Sequence, residues 1–290
     1  MIISKAQLRF FTNMTINCKG QLIDLFTPKV MGILNITPDS FYDGGKYSTE
    51  EAVLEQAEKM LREGADMLDI GGMSSRPGAE IIPAEEELQR VLPHIKNIVQ
   101  QFPDAVISID TIRSKVADEC LRAGAHIIND ISAGRFDSEM IPVVAKHKAP
   151  FTIMHMQGLP ADMQKQPEYK NVTTEIMDFF AERIAVCRKA GILDTVVDVG
   201  FGFGKSVEHN YTLLRNLNYF AQLNVPILAG VSRKSMICKI LGVNPENALN
   251  GTTAANTMAL MKGANILRVH DVKEAKEVVK LFSSLKAKLK

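Results

Sequence analysis

Ala123-Gly124-Ala125-His126-Ile127-Ile128-Asn129-Asp130 decides the fold: an amphipathic stretch stops at a glycine, and an apolar run begins three residues later and ends in polar side chains. Glycine accepts the left-handed conformation that terminates a helix, and a tight turn then returns the chain to a strand. The same joint recurs at Glu63-Gly64-Ala65-Asp66 and at Lys262-Gly263-Ala264-Asn265. A chain that repeats this joint is built from βα units.

Outward from these joints, short β-branched runs predict strands near 30–35, 67–70, 106–110, 126–131, 151–155, 195–200, 226–231 and 266–270. Amphipathic stretches predict helices near 50–63, 84–101, 112–123, 138–147, 171–190, 208–222, 247–262 and 272–288. Eight strands, each followed by a helix, in about 260 residues fit an α/β fold of the (β/α)8 TIM-barrel class better than an open doubly wound sheet. Residues 8–25 roughly alternate apolar and polar and break at Lys19-Gly20, which predicts a short β-hairpin. The expected organisation is therefore an N-terminal hairpin extension over 1–29 and a barrel over 30–290. No linker or low-complexity stretch divides the barrel.

The chain has 290 residues, 46% hydrophobic and 23% charged, with a formal net charge of +1. Basic and acidic residues are mixed rather than blocked, so neither a nucleic-acid tract nor an acidic tail is indicated, and a small ligand is expected. Cys18, Cys120, Cys187 and Cys238 are far apart and form no Cys-x-x-Cys pair. They read as reduced thiols rather than a disulfide framework or a zinc site. No apolar run approaches the ~20 residues that span a bilayer. The cytoplasm is the expected compartment, with no membrane partner.

Active sites of such barrels lie at the C-terminal strand ends. There the runs finish in Asn35, Gly71-Gly72, Asp110, Asn129-Asp130, His155, Asp198 and Arg268-Val269-His270. Arg268 and His270 alternate across Val269, which predicts a shared inward face about 6.5 to 7 Å apart. Two such donors suit an anion, and Asn35 on the adjoining first strand offers an amide oxygen to Mg²⁺. Pairing of Arg268 with an acid such as Asp271 is the competing structural role.

Asp110, Asn129 and Asp198 form a second cluster, with Ile131, Met154 and Phe203 nearby, suited to a flat heterocycle carrying hydrogen-bond donors. Helix capping is the alternative for Asp110. Ser232-Arg233-Lys234-Ser235 forms a third cluster, in which two cations near a helix N-terminus run against the helix dipole, so Lys234 is expected to face a ligand. Ser235 and adjacent N–H groups offer a carboxylate site. Asp198-Val199-Gly200-Phe201-Gly202-Phe203-Gly204-Lys205 lets backbone approach a flat ligand. It lacks the nucleotide phosphate-loop pattern, and Lys205 reads as a solvated residue at the start of a helix. The connections Thr37 to Ser48 and Gly71 to Pro83, rich in Gly, Pro, Ser and Asp, read as surface loops or as loops that close over a ligand.

Taken together, Gly32 through Phe41, Gly71 through Gly78, Ser108 through Thr111, Ile128 through Asp130, Asp198 through Lys205, Ser232 through Ser235 and Arg268 through His270 resemble the dihydropteroate synthase family. The resemblance covers nearly the whole chain after the hairpin. It implies a transferase of folate biosynthesis that condenses 6-hydroxymethyl-7,8-dihydropterin diphosphate with p-aminobenzoate, releasing pyrophosphate, with Mg²⁺ as cofactor and a homodimer as the assembly. Asp110, Asp198 and Lys234 take the catalytic positions. Pterin binding falls on Asp110, Asn129, Asp198, Lys234, Met154 and Phe203, and diphosphate binding on Asn35, Arg76, Arg268 and His270, with Asn35 the metal ligand. The aminobenzoate subsite falls on Phe41, Ser75, Pro77, Phe203, Lys234 and Ser235. Met73 and Ser75 stand where the family has glutamate and threonine in the second loop, and Val199 where it commonly has proline. The alternative is a methyltetrahydrofolate:corrinoid methyltransferase, another pterin-binding barrel.

Overall fold

A computed structural model describes residues 14–36, 49–73, 82–158 and 167–287. β1 (Thr15–Cys18) and β2 (Gln21–Asp24) form an antiparallel hairpin, with Thr15 opposite Asp24 and Cys18 opposite Gln21. Its turn, Lys19-Gly20, has φ of 54° and 95°, the twist that a two-residue hairpin prefers. This is the hairpin predicted for residues 8–25, of which residues 8–13 lie outside the described residues.

Eight parallel strands follow: β3 (Lys29–Asn35), β4 (Met67–Gly71), β5 (Ile107–Asp110), β6 (Ile127–Asp130), β7 (Phe151–Met154), β8 (Thr195–Asp198), β9 (Ile227–Ala229) and β10 (Ile266–Val269). They close into a barrel in which β10 pairs with β3. The helices between them are α1 (Thr49–Arg62), α2 (Ala84–Gln101), α3 (Ser114–Arg122), α4 (Met140–His147), α5 (Val172–Lys189), α6 (Val207–Arg215), α7 (Ser235–Leu241), α8 (Leu249–Met261) and α9 (Val272–Ala287). Two corrections concern this outer layer. The helix predicted over 208–222 ends at Arg215 and continues as a 3₁₀ segment, Leu217–Leu223, and α7 adds a short helix before α8.

The three repeated joints share one construction. Gly64, Gly124 and Gly263 have φ of 97°, 117° and 97°. Ala65, Ala125 and Ala264 donate N–H bonds to the carbonyls of Met60, Cys120 and Ala259, which ties off the last helical turn. The fourth residue then enters the barrel at once: the N–H groups of Asp66, His126 and Asn265 donate to the carbonyls of Val30, Ile107 and Ile227. Their side chains accept from the N–H groups of those same three partners, at 2.8, 3.1 and 2.9 Å. Each joint thus pairs both the N–H and the carbonyl of one residue near the start of the neighbouring strand.

Strand side chains alternate between two environments. Val30, Leu34, Leu68, Ile70, Ile107, Ile109, Ile128, Phe151, Ile153, Val197 and Leu267 face the helices and form the main core. Met31, Met67, Val106, Ile127, Val196, Leu228 and Ile266 fill the lower barrel interior, where Ile16, Cys18 and Leu25 of the hairpin segment seal it. Moving up the inward face, the residues turn polar: Asp69, Ser108, Asn129, Thr152, Asp198 and Arg268. The apolar plug at one end and the polar layer above it fix which mouth can hold a ligand.

Candidate active site

The strand register brings the inward polar residues to one level. Asn35 pairs with Gly71, Gly71 with Asp110, Asp110 with Asn129, and Met154 with Asp198. Arg268 on β10 reaches across the interior, donating from Nε to Asp69 Oδ2 at 2.6 Å and from Nη2 to Asp110 Oδ2 at 2.7 Å. Asn129 Nδ2 donates to the same Asp69 oxygen at 3.0 Å. The partner proposed for Arg268 as a structural alternative, Asp271, instead holds Arg233 through two bonds of 2.6 and 3.0 Å.

Asp69 is fully buried and organises two candidate residues, yet sequence reasoning assigned it no role. Its signal was parity: Met67, Asp69 and Gly71 share one face of β4, and the strand ends at Gly71 in the mouth. Burial pushes the Asp110 carboxyl up against the pull of Arg268, with the Asp69, Glu87 and Asp130 carboxylates pushing the same way. For Arg268 burial works against the charge, but Asp69 and Asp110 outweigh it and its pKa is raised.

Asp198 closes β8 with Oδ1 accepting the Gly200 N–H at 2.8 Å. Burial raises its pKa, opposed by Lys234, the Gly200 N–H, Arg268 and Lys205. Lys234, the N-cap of α7, lays its ammonium 4.8 Å from the centre of the Phe203 ring and donates to the Phe201 carbonyl. Burial pushes Lys234 down to about 8, against the pull of Asp198. The two groups converge where Gly230 leaves room: a Cβ there would stand 3.6 Å from Asp198 Oδ2 and 3.8 Å from Lys234 Nζ.

An apolar wall borders these groups. Met73, Ile112, Ile131, Met154 and Met156 are buried together, with Phe136 and Phe203 packed against them. Met73, where the family carries glutamate, therefore contributes packing to this wall. Val199, where the family commonly has proline, is buried in the core between barrel and helices.

Arg268 and His270, predicted to share an inward face, have different surroundings: Arg268 turns into the barrel onto Asp69 and Asp110, while His270, one residue past the strand's end at Val269, is exposed beside Ser232. Ser232 Oγ accepts the His270 N–H at 3.2 Å and lies 3.0 Å from Nδ1. Ser235 is exposed at the first position of α7. Lys205 is corrected outright, being buried rather than solvated, with Nζ on the carbonyls of Gly200, Phe203 and His155. The helix start exists at Val207, but the side chain turns under the glycine turn instead of outward.

Phe41, Ser75, Arg76 and Pro77 lie outside the described residues. Among the described residues no cluster of three or more His, Cys, Asp or Glu side chains forms a metal cage. Asn35 is a single oxygen donor beside Gly71, where a Cβ would lie 3.8 Å from Oδ1. A single amide oxygen suits a Mg²⁺ that takes its other ligands from water and a diphosphate.

Residues 31–270 match the family described as pterin binding enzyme. Over 273 residues the chain is 45% identical to the dihydropteroate synthase of Escherichia coli strain K12, spanning 93% of this chain and 96% of that one. The Haemophilus influenzae dihydropteroate synthase is 43% identical over 93% and 98% of the two chains. Among solved structures, Yersinia pestis dihydropteroate synthase in a sulfonamide drug complex superposes with a TM-score of 0.89 at 42% identity, covering 94% of this chain and 100% of that one. Xanthomonas albilineans dihydropteroate synthase in complex with 7,8-dihydropteroate gives 0.86 at 39% identity, covering 94% and 99%. These relatives are synthases, which sets the methyltransferase alternative aside. With eight strands closed into a barrel and the described motif residues gathered at one mouth, the chain belongs to the dihydropteroate synthase family of pterin binding enzymes.

Proposed function

We propose that the chain condenses 6-hydroxymethyl-7,8-dihydropterin diphosphate with p-aminobenzoate to give 7,8-dihydropteroate and pyrophosphate, a transferase step of folate biosynthesis. The observation that carries this reading is the meeting of acceptors Asp110, Asn129 and Asp198 with cations Lys234 and Arg268 against one apolar wall. A flat pterin with N–H donors on its edge and an anionic tail needs both halves of that arrangement.

In this reading Asp110, Asn129, Asp198 and Lys234 hold the pterin edge, Met154 and Phe203 border its faces, and Arg268 and His270 take the diphosphate with Arg76. Lys234 and Ser235, with Phe41, Ser75, Pro77 and Phe203, receive p-aminobenzoate. Asn35 would hold Mg²⁺, which when bound offsets the charge gathering on the departing pyrophosphate. Departure precedes attack by the amine, because the dihydropterin delocalises the cation left on its methylene. Asp198 and Asp110 stabilise that positive charge electrostatically, and no protein nucleophile is needed. The weakly basic aromatic amine requires positioning above all.

The working unit is the barrel of residues 30–290 with residues 1–29 as its extension. A homodimer is the assembly we favour, since Ile240, Leu241, Met258, Met261, Leu281 and Leu285 expose apolar surface on the neighbouring helices α7, α8 and α9. The cytoplasm is the compartment we favour, given free thiols at Cys18, Cys120, Cys187 and Cys238.

A coupled pyrophosphate-release assay tests the reaction: sustained turnover is expected only with both substrates present and is expected to fall when Mg²⁺ is chelated. The assay also carries a pH signature. Lys234 is a cation below its lowered pKa and loses its charge as pH rises through about 8, so kcat/KM should decline on that alkaline side. Sustained pyrophosphate release at the same rate with and without p-aminobenzoate would count against the reaction, and a profile flat from pH 7 to about 10 would count against the role of Lys234.

A further inference from the structure

The buried ammonium of Lys205 takes no part in the proposed reaction, and its surroundings are built around it. Nζ donates to the carbonyls of Gly200 and Phe203 at 2.9 Å each and of His155 at 3.1 Å, and reaches His155 Nδ1 at 3.2 Å. A neutral amine has two N–H donors, fewer than the carbonyls gathered around this one, whereas an ammonium has three. The cradle suits the cation even though burial drives the lysine pKa well down, with the Asp198 carboxylate drawing it back up. His155 is kept neutral, since burial, Lys205 and Arg135 push it down to about 2, and its ring packs edge-on against Phe179 with centroids 4.9 Å apart.

The turn above Lys205 has no slack. Gly200 and Gly204 have φ of 69° and 61°, and a Cβ on either would fall 2.0 Å from the His155 carbonyl oxygen or 2.4 Å from that of Gln157. Tyr169 Oη donates to the Gly204 carbonyl at 2.9 Å, and the Gly202 N–H donates to Asn210 Oδ1 at 2.7 Å. On its pocket side the same turn presents the Phe201 carbonyl and the Phe203 ring, both of which engage Lys234. Removing the ammonium would leave the buried His155 carbonyl and the half-buried Phe203 carbonyl short of a donor, while the Gly200 carbonyl keeps the Phe203 N–H, a cost the turn can relieve by rearranging.

We propose that Lys205 is a positioning residue that fixes the Gly200–Gly204 turn from beneath, so that Phe201 and Phe203 hold Lys234 where the aromatic amine substrate docks. Asp110 and Asn129 belong to the other side of this division. They are held by the pairing of β5 with β6 and by their bonds to Arg268 and Asp69, whereas Asp198 also touches the turn through the Gly200 N–H. Loss of Lys205 should therefore affect the second substrate far more than the pterin.

This inference rests on the proposed function, and the test separates the two. Wild-type protein that releases no pyrophosphate sinks the function before any variant is made. With active wild type, Lys205→Met should raise the KM for p-aminobenzoate by about tenfold or more while the Kd for the pterin diphosphate, measured by calorimetry, stays within about threefold. Tyr169→Phe keeps Lys205 and removes the hydroxyl on the far side of the turn. It should move the same KM in the same direction by about two- to threefold, and it decides the matter if Lys205→Met does not fold. Equal weakening of both substrates by Lys205→Met, or an unchanged p-aminobenzoate KM in the folded variants, would overturn the assignment.

Discussion

At the scale of single residues, Arg268 and His270 differ more than their spacing suggests. Arg268 bridges two carboxylates, Asp69 and Asp110, and breaking a buried ion pair from one side costs about 3 to 5 kcal/mol because a charge is left without its partner. His270 is exposed, and it bonds to Ser232. Arg268→Ala is therefore expected to weaken both free hydroxymethylpterin and the diphosphate substrate. His270→Ala should spare the free pterin and cost about 1.5 to 3 kcal/mol with the diphosphate, the range of a hydrogen bond to a charged group. Calorimetry with the two ligands decides between them. An Arg268→Ala variant that bound free pterin normally would mean that the bridge does not organise the pterin pocket. Which side chains would sit on the inward face was legible from strand parity; what they would pair with was not. Arg268 has Asp271 three residues away in sequence and finds its acids across the barrel, because the closure that brings β10 beside β3 is a property of the whole sheet.

At the scale of elements, the glycine joints carry the fold and differ in how much they tolerate. Gly263 has φ of 97°, and a Cβ added there would meet nothing within 4 Å, so Gly263→Ala meets only the left-handed strain, about 1 to 2 kcal/mol. Gly124 has φ of 117°, and a Cβ there would lie 2.9 Å from Val99 Cγ2, so Gly124→Ala should cost measurably more. Urea unfolding of the two variants gives the comparison, and equal losses would mean that conformation alone, without the packing against α2, sets the tolerance. These joints were readable because a left-handed stop before a strand has few sequence solutions. Helix α7 was harder to place, since seven residues leave too little periodicity to separate it from the turn before it. The turn around Lys205 was misread for a related reason: its position suggested solvent, and only the fold of residues 200–204 over His155 and Gln157 encloses it.

At the scale of the whole molecule, stability and chemistry occupy opposite ends of one barrel. The hairpin was legible from its alternation and its Lys19-Gly20 turn, but its docking place was not, because short apolar strands carry no address. In the fold, Ile16, Cys18 and Leu25 close the lower interior against Met31, Met67, Val106, Ile127, Val196, Leu228 and Ile266. Asn265, already bonded to β9, also donates to the Leu25 carbonyl at 3.2 Å and fastens the plug to the barrel floor. Leu25 is fully buried, so Leu25→Ala should lower global stability by about 2 to 5 kcal/mol, the range for a large-to-small change in a packed core. The polar layer from Asp69 to Arg268 lies between that cavity and the mouth, and unaltered geometry there should leave both substrate KM values close to wild type under conditions where the variant is folded. Urea unfolding and steady-state kinetics on the same preparation test the separation. A shift in KM with little loss of stability would mean that the hairpin end communicates with the mouth, and that the barrel interior acts as one deformable unit rather than as a floor beneath a site.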